Sequence, residues 1–321
     1  MKNVGDLSRL SYQLQYSQHK IRENTINTPK FHKIFNGEKS LDLITIGDSF
    51  SSGGGGGKGS YYQDFIANEY KIKIANVSIV KDVRSTFKMV IQDEFLEKYK
   101  PKIILLQSVQ REFLNRFEKE FDKKEYDINY IDNFLLDGKI ESLGEKEKKE
   151  FQFISNLNFK AILFDLLYVF SENAFFSKVF IVYLKDKYFE NKNGNKLLFF
   201  HKDLKNHEDK NCRRSIKVIQ NLNYYAKKMK TYNTKLILLI APDKFHIYQN
   251  YLKRKKTYNN KIFECFRKNE LDFKFIDSDI LLENAIKNGT KEIYHFDDTH
   301  WTWKASEILF SNSSFLKNQN D

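Results

Sequence analysis

Cysteine, proline, tryptophan and arginine are all scarce in this chain of 321 residues and 38.3 kDa. Two cysteines, Cys212 and Cys265, exclude a disulfide-stapled mini-fold and make a four-thiolate zinc site impossible. Three prolines leave few forced breaks along the chain. No stretch reaches ~18 uninterrupted apolar residues, so the sequence contains no spanning helix as written. The first twenty residues, MKNVGDLSRLSYQLQYSQHK, have no apolar h-region and do not read as a signal peptide. The expectation is a cytoplasmic protein if the chain is complete, or a cell-envelope (periplasmic) one if an N-terminal anchor has been trimmed. The seven histidines show no metal-ligand spacing such as H-E-x-x-H, so neither metal nor cofactor is expected.

What is abundant is charge, 30% of residues, beside 41% apolar ones. That balance excludes wholesale disorder and a multi-span membrane protein. The net charge of +12 comes from 45 Lys and 9 Arg against 42 acids. A Lys-rich chain that is also rich in Asn, Ile, Phe and Tyr looks like AT-biased coding. Nucleic-acid readers favour the Arg fork for bidentate contacts, so charge alone does not point to nucleic acid. It suits an anionic polysaccharide or membrane surface equally well.

Short apolar runs alternate with helical patterns. Strands are expected at 41–46, 72–77 and 102–108, with helices at 61–70 and 86–99. The rhythm breaks from about 112 to 211, then resumes with a helix at 215–230, a strand at 234–240 and a helix within 246–267. A strand at 273–276 and helices at 280–287 and 303–310 complete it. Such a βαβ order predicts an α/β fold, three-layered, with a central, mostly parallel sheet. The domain reading is an N-terminal extension (1–40, with a helix over Leu7–His19), a core from 41–111 and 213–321, and an insertion or lid at 112–212. The aromatic part of that insertion, 151–189, is interrupted by Asp165, Glu172 and Lys178 and reads as core rather than membrane surface.

Two places put polar residues where strands release the chain. Gly47-Asp48-Ser49 follows the first strand, and ligands collect outside the carboxyl ends of parallel strands. Gly47 permits the turn and Asp48 can accept loop amides. Near the C-terminus stands Tyr294-His295-Phe296-Asp297-Asp298-Thr299-His300-Trp301. An acid two or three residues before His300 can fix its tautomer, and His300 can then take a proton from Ser49.

GDSF near the start and DTHW near the end resemble the first and last blocks of the SGNH (GDSL-type) hydrolases. The segment Ala241-Pro242-Asp243-Lys244-Phe245-His246-Ile247-Tyr248, together with DTHW, is similar to the SGNH-like domains of alginate O-acetyltransferases and related polysaccharide acyl-modifying proteins. The resemblance covers about 41–111 and 213–321. It implies an SGNH/flavodoxin-like fold, Ser49 as nucleophile and His300 as general base. It favours Asp298 as the triad acid, with Asp297 the alternative set by the esterase spacing. Arg111, in a V-x-R pattern after the third strand, takes the region of the family's missing oxyanion Asn, and is expected at the oxyanion or the acyl donor. Lys244 and Trp301 are expected at the substrate or holding the site loops.

The resemblance implies acetyl transfer to, or ester hydrolysis on, a carbohydrate through an acyl-Ser49 intermediate, with a membrane acyltransferase as a further partner. The alternative is a catalytically weak SGNH-like module that binds glycan or docks on a partner. This is suggested by the loop SIVKDVRS, which lacks the family's second-block Gly. Gly53 to Gly57, with Lys58, Gly59 and Ser60, is out of register for a phosphate loop and reads as a mobile rim that admits a bulky acceptor.

Overall fold

The computed structural model describes residues 5–16, 33–56, 60–79, 81–122, 124–136, 156–205, 209, 211–256, 258 and 260–311. Ser17 to His19, Gly57 to Gly59 and the charged patch at 144–151 lie outside the described residues.

The short apolar runs form strands: β1 (Lys33–Ile34), β2 (Leu43–Ile46), β3 (Ile74–Asn76), β4 (Ile103–Val109), β5 (Val179–Tyr183), β6 (Lys196–Phe200), β7 (Lys235–Ala241) and β8 (Lys274–Ile276). Six of them make one sheet in the order β1-β3-β2-β4-β7-β8, with every pairing parallel. β2, β3 and β4 are buried at every residue. A strand covered on both faces has no need of polar alternation, which is why these segments read as unbroken apolar runs.

The covering helices are α1 (Asp6–Leu10), α2 (Tyr62–Tyr70), α3 (Val83–Val90), α4 (Asp93–Tyr99), α5 (Gln110–Phe117), α6 (Ile128–Leu136), α7 (Asn156–Phe170), α8 (Lys202–Lys205), α9 (Arg213–Thr231), α10 (Lys244–Tyr248), α11 (Ile262–Lys268), α12 (Ser278–Lys287) and α13 (Trp303–Phe310). Alternate strand residues feed two separate cores. Leu43, Leu105 and Leu239 pack with Phe65 of α2, Leu282 of α12 and Leu309 of α13. Ile44, Leu106 and Leu238 pack on the other face with Phe87 of α3, Phe113 of α5, Leu222 of α9 and Phe266 of α11. The result is the three-layer αβα arrangement expected from the βαβ order.

Some local expectations need correction. The helix expected over 86–99 is two helices, because Gln92 is extended (ψ 149°) and starts α4, with Asp93 and Glu94 in its first turn. The first of the two, α3, begins earlier, at Val83, and is capped by Asp82, whose carboxylate accepts the Ser85 N–H at 2.8 Å. The insertion is part helix and part strand. β5 and β6 form an antiparallel hairpin that joins the first core through Val179, Leu197 and Phe199. α5 and α6 of the insertion pack instead into the opposite core, through Phe113, Ile131 and Leu135.

Cys212 and Cys265 form a disulfide that ties the start of α9 to α11 across 53 residues. Closing a loop of that length restricts the unfolded chain by about 4 kcal/mol in the entropic account.

The connection from β2 runs to β3 on one side, and β3 returns to β4 on the other. The order therefore reverses between β2 and β4, which opens a crevice at their carboxyl ends. The candidate nucleophile turn leaves β2 at this point.

Candidate active site

Gly47 to Ser52 turns sharply as it leaves β2. A Cβ on Gly47 would lie 2.0 Å from Ser51 Oγ and 2.3 Å from Gln107 Oε1, so only glycine fits beside that pair. Beneath the turn lies a buried polar network. Ser51 Oγ donates to Gln107 Oε1 (3.0 Å) and accepts from Tyr62 Oη (2.9 Å). Gln63 Nε2 donates to the Ser51 carbonyl and to Thr45 Oγ1. Asp48 Oδ2 accepts the Val109 N–H at 2.7 Å and pairs with Arg116 at 2.6 Å, which also donates to Ser108 Oγ. The turn is thus fastened to β4 and α5, and Ser49 is left exposed at its crest.

Ser49 Oγ lies 2.7 Å from His300 Nε2, and His300 Nδ1 lies 2.6 Å from Asp298 Oδ1. An ionised carboxylate only accepts, so Nδ1 carries the imidazole proton and Nε2 presents its lone pair to the serine hydroxyl. Asp298 also accepts the His300 backbone N–H at 3.0 Å. Burial works against the charged form of Asp298, but the hydrogen bond and charge of His300 outweigh it and hold the carboxyl well below its usual range. Asp297 does not reach the imidazole; its Oδ2 accepts the Gly5 N–H at 3.1 Å. The two acids are therefore divided between chemistry and the N-terminal segment.

That segment, expected as a polar extension with a helix over Leu7–His19, is α-helical at Asp6–Leu10, where the helix stops because Tyr12 turns left-handed (φ 58°) before a short 3-10 turn at Leu14–Tyr16. Asp6 donates its backbone N–H to Asp298 Oδ2 (3.0 Å), and its side chain accepts the Thr299 N–H (2.8 Å) and hydroxyl (2.5 Å). The Asp297 carbonyl accepts from Leu7 and Ser8. Burial, with the charge of Asp298 nearby, raises the Asp6 carboxyl above its ordinary value. A polar extension thereby becomes a strap across the loop that carries the base.

Lys244 is 1% exposed, and its ammonium donates to the carbonyls of His295 (2.7 Å), Phe296 (2.8 Å) and Asp298 (3.2 Å). It meets loop backbone at the core and does not face a substrate, so of its two expected roles the loop-holding one fits. Burial pushes it down to about 7, against the raising effect of Asp297 and Asp298.

Trp301 is 3% exposed and packs edge-on against Phe50 (4.7 Å), so it offers no face to a sugar. Arg111 corrects another expectation. Its guanidinium pairs with Asp243 (2.8 Å) and Asp203 (3.5 Å), two fully buried carboxylates that need a cation, and it is engaged there instead of at an oxyanion. The glycine segment departs from its reading as well. A Cβ on Gly54 would come within 2.3 Å of the His300 ring, and one on Gly55 within 2.6 Å of His295. Gly54 also donates its N–H to the Ser49 carbonyl at 2.7 Å. These glycines form a close lining against the base where a loose rim was expected.

Arg116, Gln107, Tyr62 and Asp6 were missed by sequence reasoning. Arg116 had one available signal: it is among nine Arg in a chain that otherwise uses Lys. No family model, curated protein or solved structure matches this chain, so the resemblance to SGNH proteins stands on its motif residues.

Three outcomes follow for purified variants. Asp298→Asn lowers kcat on an acyl ester by about three orders of magnitude or more, whereas Asp297→Asn shifts chiefly the melting temperature; equal losses of kcat would contradict the division of roles. Asp6→Ala lowers kcat about tenfold through a displaced loop, and Asp6→Asn, which keeps the Thr299 contacts, restores most of it. Lys244→Met removes the ammonium donor from three buried carbonyls and destabilises the fold by roughly 3 kcal/mol. Free lysine titrates near 10.5 and the folded group at about 7, so between those values the unfolded chain binds the extra proton and stability rises with pH. Denaturant titrations across that window show the slope in the wild type and its loss in Lys244→Met.

Proposed function

We propose that this protein carries out serine-dependent acyl transfer or ester hydrolysis, with acetyl as the group and a polysaccharide or glycan as the carbohydrate, through an acyl-Ser49 intermediate. The single observation that carries the reading is the continuous hydrogen-bonded chain from Ser49 Oγ through His300 to Asp298. Its place at the carboxyl edge of a parallel sheet, where the strand order reverses, adds support.

In this reaction Ser49 Oγ attacks the ester carbonyl carbon while its proton passes to His300 Nε2. The tetrahedral intermediate collapses, the ester C–O bond breaks, and the departing alcohol takes that proton from the imidazolium. A sugar hydroxyl or water then attacks the acyl-serine, giving its proton to Nε2, and the proton returns to Ser49 as the acyl group leaves. Asp298 stays ionised and stabilises the imidazolium.

The exposure of Ser49 suits a bulky carbohydrate acceptor, since no narrow slot has to admit it. The Cys212–Cys265 disulfide supports placement in an oxidising compartment such as the cell envelope. The engagement of Arg111 by Asp243 favours a second reading, a weakly catalytic module that binds glycan.

A burst assay with an aryl acetate, followed by mass spectrometry of acid-quenched protein, tests the proposal. The expected result is one acetyl label on Ser49, abolished in Ser49→Ala. Label on another residue overturns the mechanism, while no burst combined with glycan binding that survives Ser49→Ala favours the binding module.

A further inference from the structure

The most unusual surface of the molecule lies away from Ser49. α7 packs inward through Phe164, which is 7% exposed, and through Tyr168, whose hydroxyl donates to Ser177 Oγ and the Val179 carbonyl. Its outward face is apolar. Phe159, Ile162, Leu166, Val169 and Phe170 recur at helical spacing, and each is between 58% and 75% exposed. The turn that follows adds Phe175 and Phe176, 63% and 66% exposed. That turn holds Ala174 (φ 47°) and Phe175 (φ 65°) in the left-handed region, a strained conformation for residues with side chains. Single exposed apolar residues are ordinary, but a contiguous stripe of seven marks an interaction surface.

The charges around the stripe indicate its occupant. Lys160, Lys178, Lys253 and Arg254 are exposed beside it. Lys253 and Arg254 share a groove of about 450 Å³ with Tyr168, Val169 and Phe170. The nearby acids are engaged: Glu172 pairs with Lys256, and Asp165 accepts from the side-chain amides of Gln13 and Gln15. An apolar helix face with a cationic rim matches acyl chains beneath anionic headgroups. At 15 residues α7 is about 22 Å long, short of a ~30 Å hydrocarbon core. No helix among the described residues is long and apolar enough to cross a membrane.

We propose that the outward face of α7 and the Phe175-Phe176 turn dock in the plane of an anionic lipid bilayer, with Lys253 and Arg254 contacting its headgroups. This surface is independent of the acyl-transfer reading. The N-terminal segment links it to the site: Tyr12 packs on Phe164 at 4.9 Å, and the same segment carries the Asp6 strap.

Vesicle flotation of the full chain tests the proposal, using phosphatidylcholine alone and phosphatidylcholine mixed with phosphatidylglycerol. The expected result is flotation with the anionic vesicles and much less with the neutral ones. Ile162→Ser/Val169→Ser/Phe170→Ser, whose side chains leave the core untouched, should lose about tenfold in vesicle affinity with an unchanged thermal melt. Lys253→Ala/Arg254→Ala should weaken binding severalfold and flatten its salt dependence. Absence of flotation by the wild type overturns the proposal, as does equal flotation by the triple variant. A dimer in sedimentation velocity that the triple variant abolishes, without vesicle binding, would assign the face to a second copy instead.

Discussion

A single buried ammonium organises the candidate site. Lys244 extends from the first turn of α10 into the core and gathers the carbonyls of His295, Phe296 and Asp298. These carbonyls belong to an irregular segment with no sheet ladder of its own apart from the Tyr294–Trp301 bridge. Without a common donor, buried backbone oxygens in such a loop would each carry a desolvation cost. Lysine suits the position because its three N–H bonds spread from one point, whereas the planar arginine fork suits pairs of parallel acceptors. The loop geometry that brings Asp298 and His300 into line with Ser49 is set by this contact as much as by the chain's own turns.

The same region concentrates carboxylates. Asp6, Asp297 and Asp298 lie around one loop, and each has a different partner: the Thr299 amide and hydroxyl, the Gly5 amide, and the His300 imidazole. Burial, and after it the charge of Asp298, raises the Asp6 carboxyl, whereas the hydrogen bond and charge of His300 outweigh burial and hold Asp298 low. The buried Lys244 charge offsets part of the repulsion among these carboxylates. Arg116 does similar work for the nucleophile turn, and Arg111 does so for Asp243 and Asp203. In a Lys-rich chain the few arginines repeatedly take positions with several acceptors. Arg84 donates to the carbonyls of Arg116, Lys119 and Glu120, and Arg267 pairs with Asp277 and Asp279. The fork geometry of guanidinium explains the selection.

The parts of the fold that were readable from sequence are those in which local pattern and burial coincide. β4, β7 and α13 fall within a residue or so of expectation because unbroken apolar runs mark doubly covered strands, and helical periodicity marks the last helix. The break at Gln92 was hidden because a restart costs only one extended residue and leaves the apolar pattern continuous. The β5–β6 hairpin was hidden because its aromatic residues suit a helix, a strand or a core loop equally, and among the described residues its strands make a two-stranded sheet of their own. The outward face of α7 reads as core for the same reason: composition reports how apolar a segment is, not which side of it is covered.

By itself, the sequence determined the parallel α/β core and the pairing of a strand-end serine with a late histidine, since both rest on residue type and order. Only the tertiary structure decided between Asp297 and Asp298, because the two differ by one position and the choice depends on which carboxylate the loop turns toward the imidazole. It also decided that Lys244 and Trp301 are buried and that Arg111 faces acids. The strapping of the His300 loop by Asp6 is the extreme case. Its hydrogen bonds join residues 292 and 293 positions apart, and no local pattern carries information over that distance.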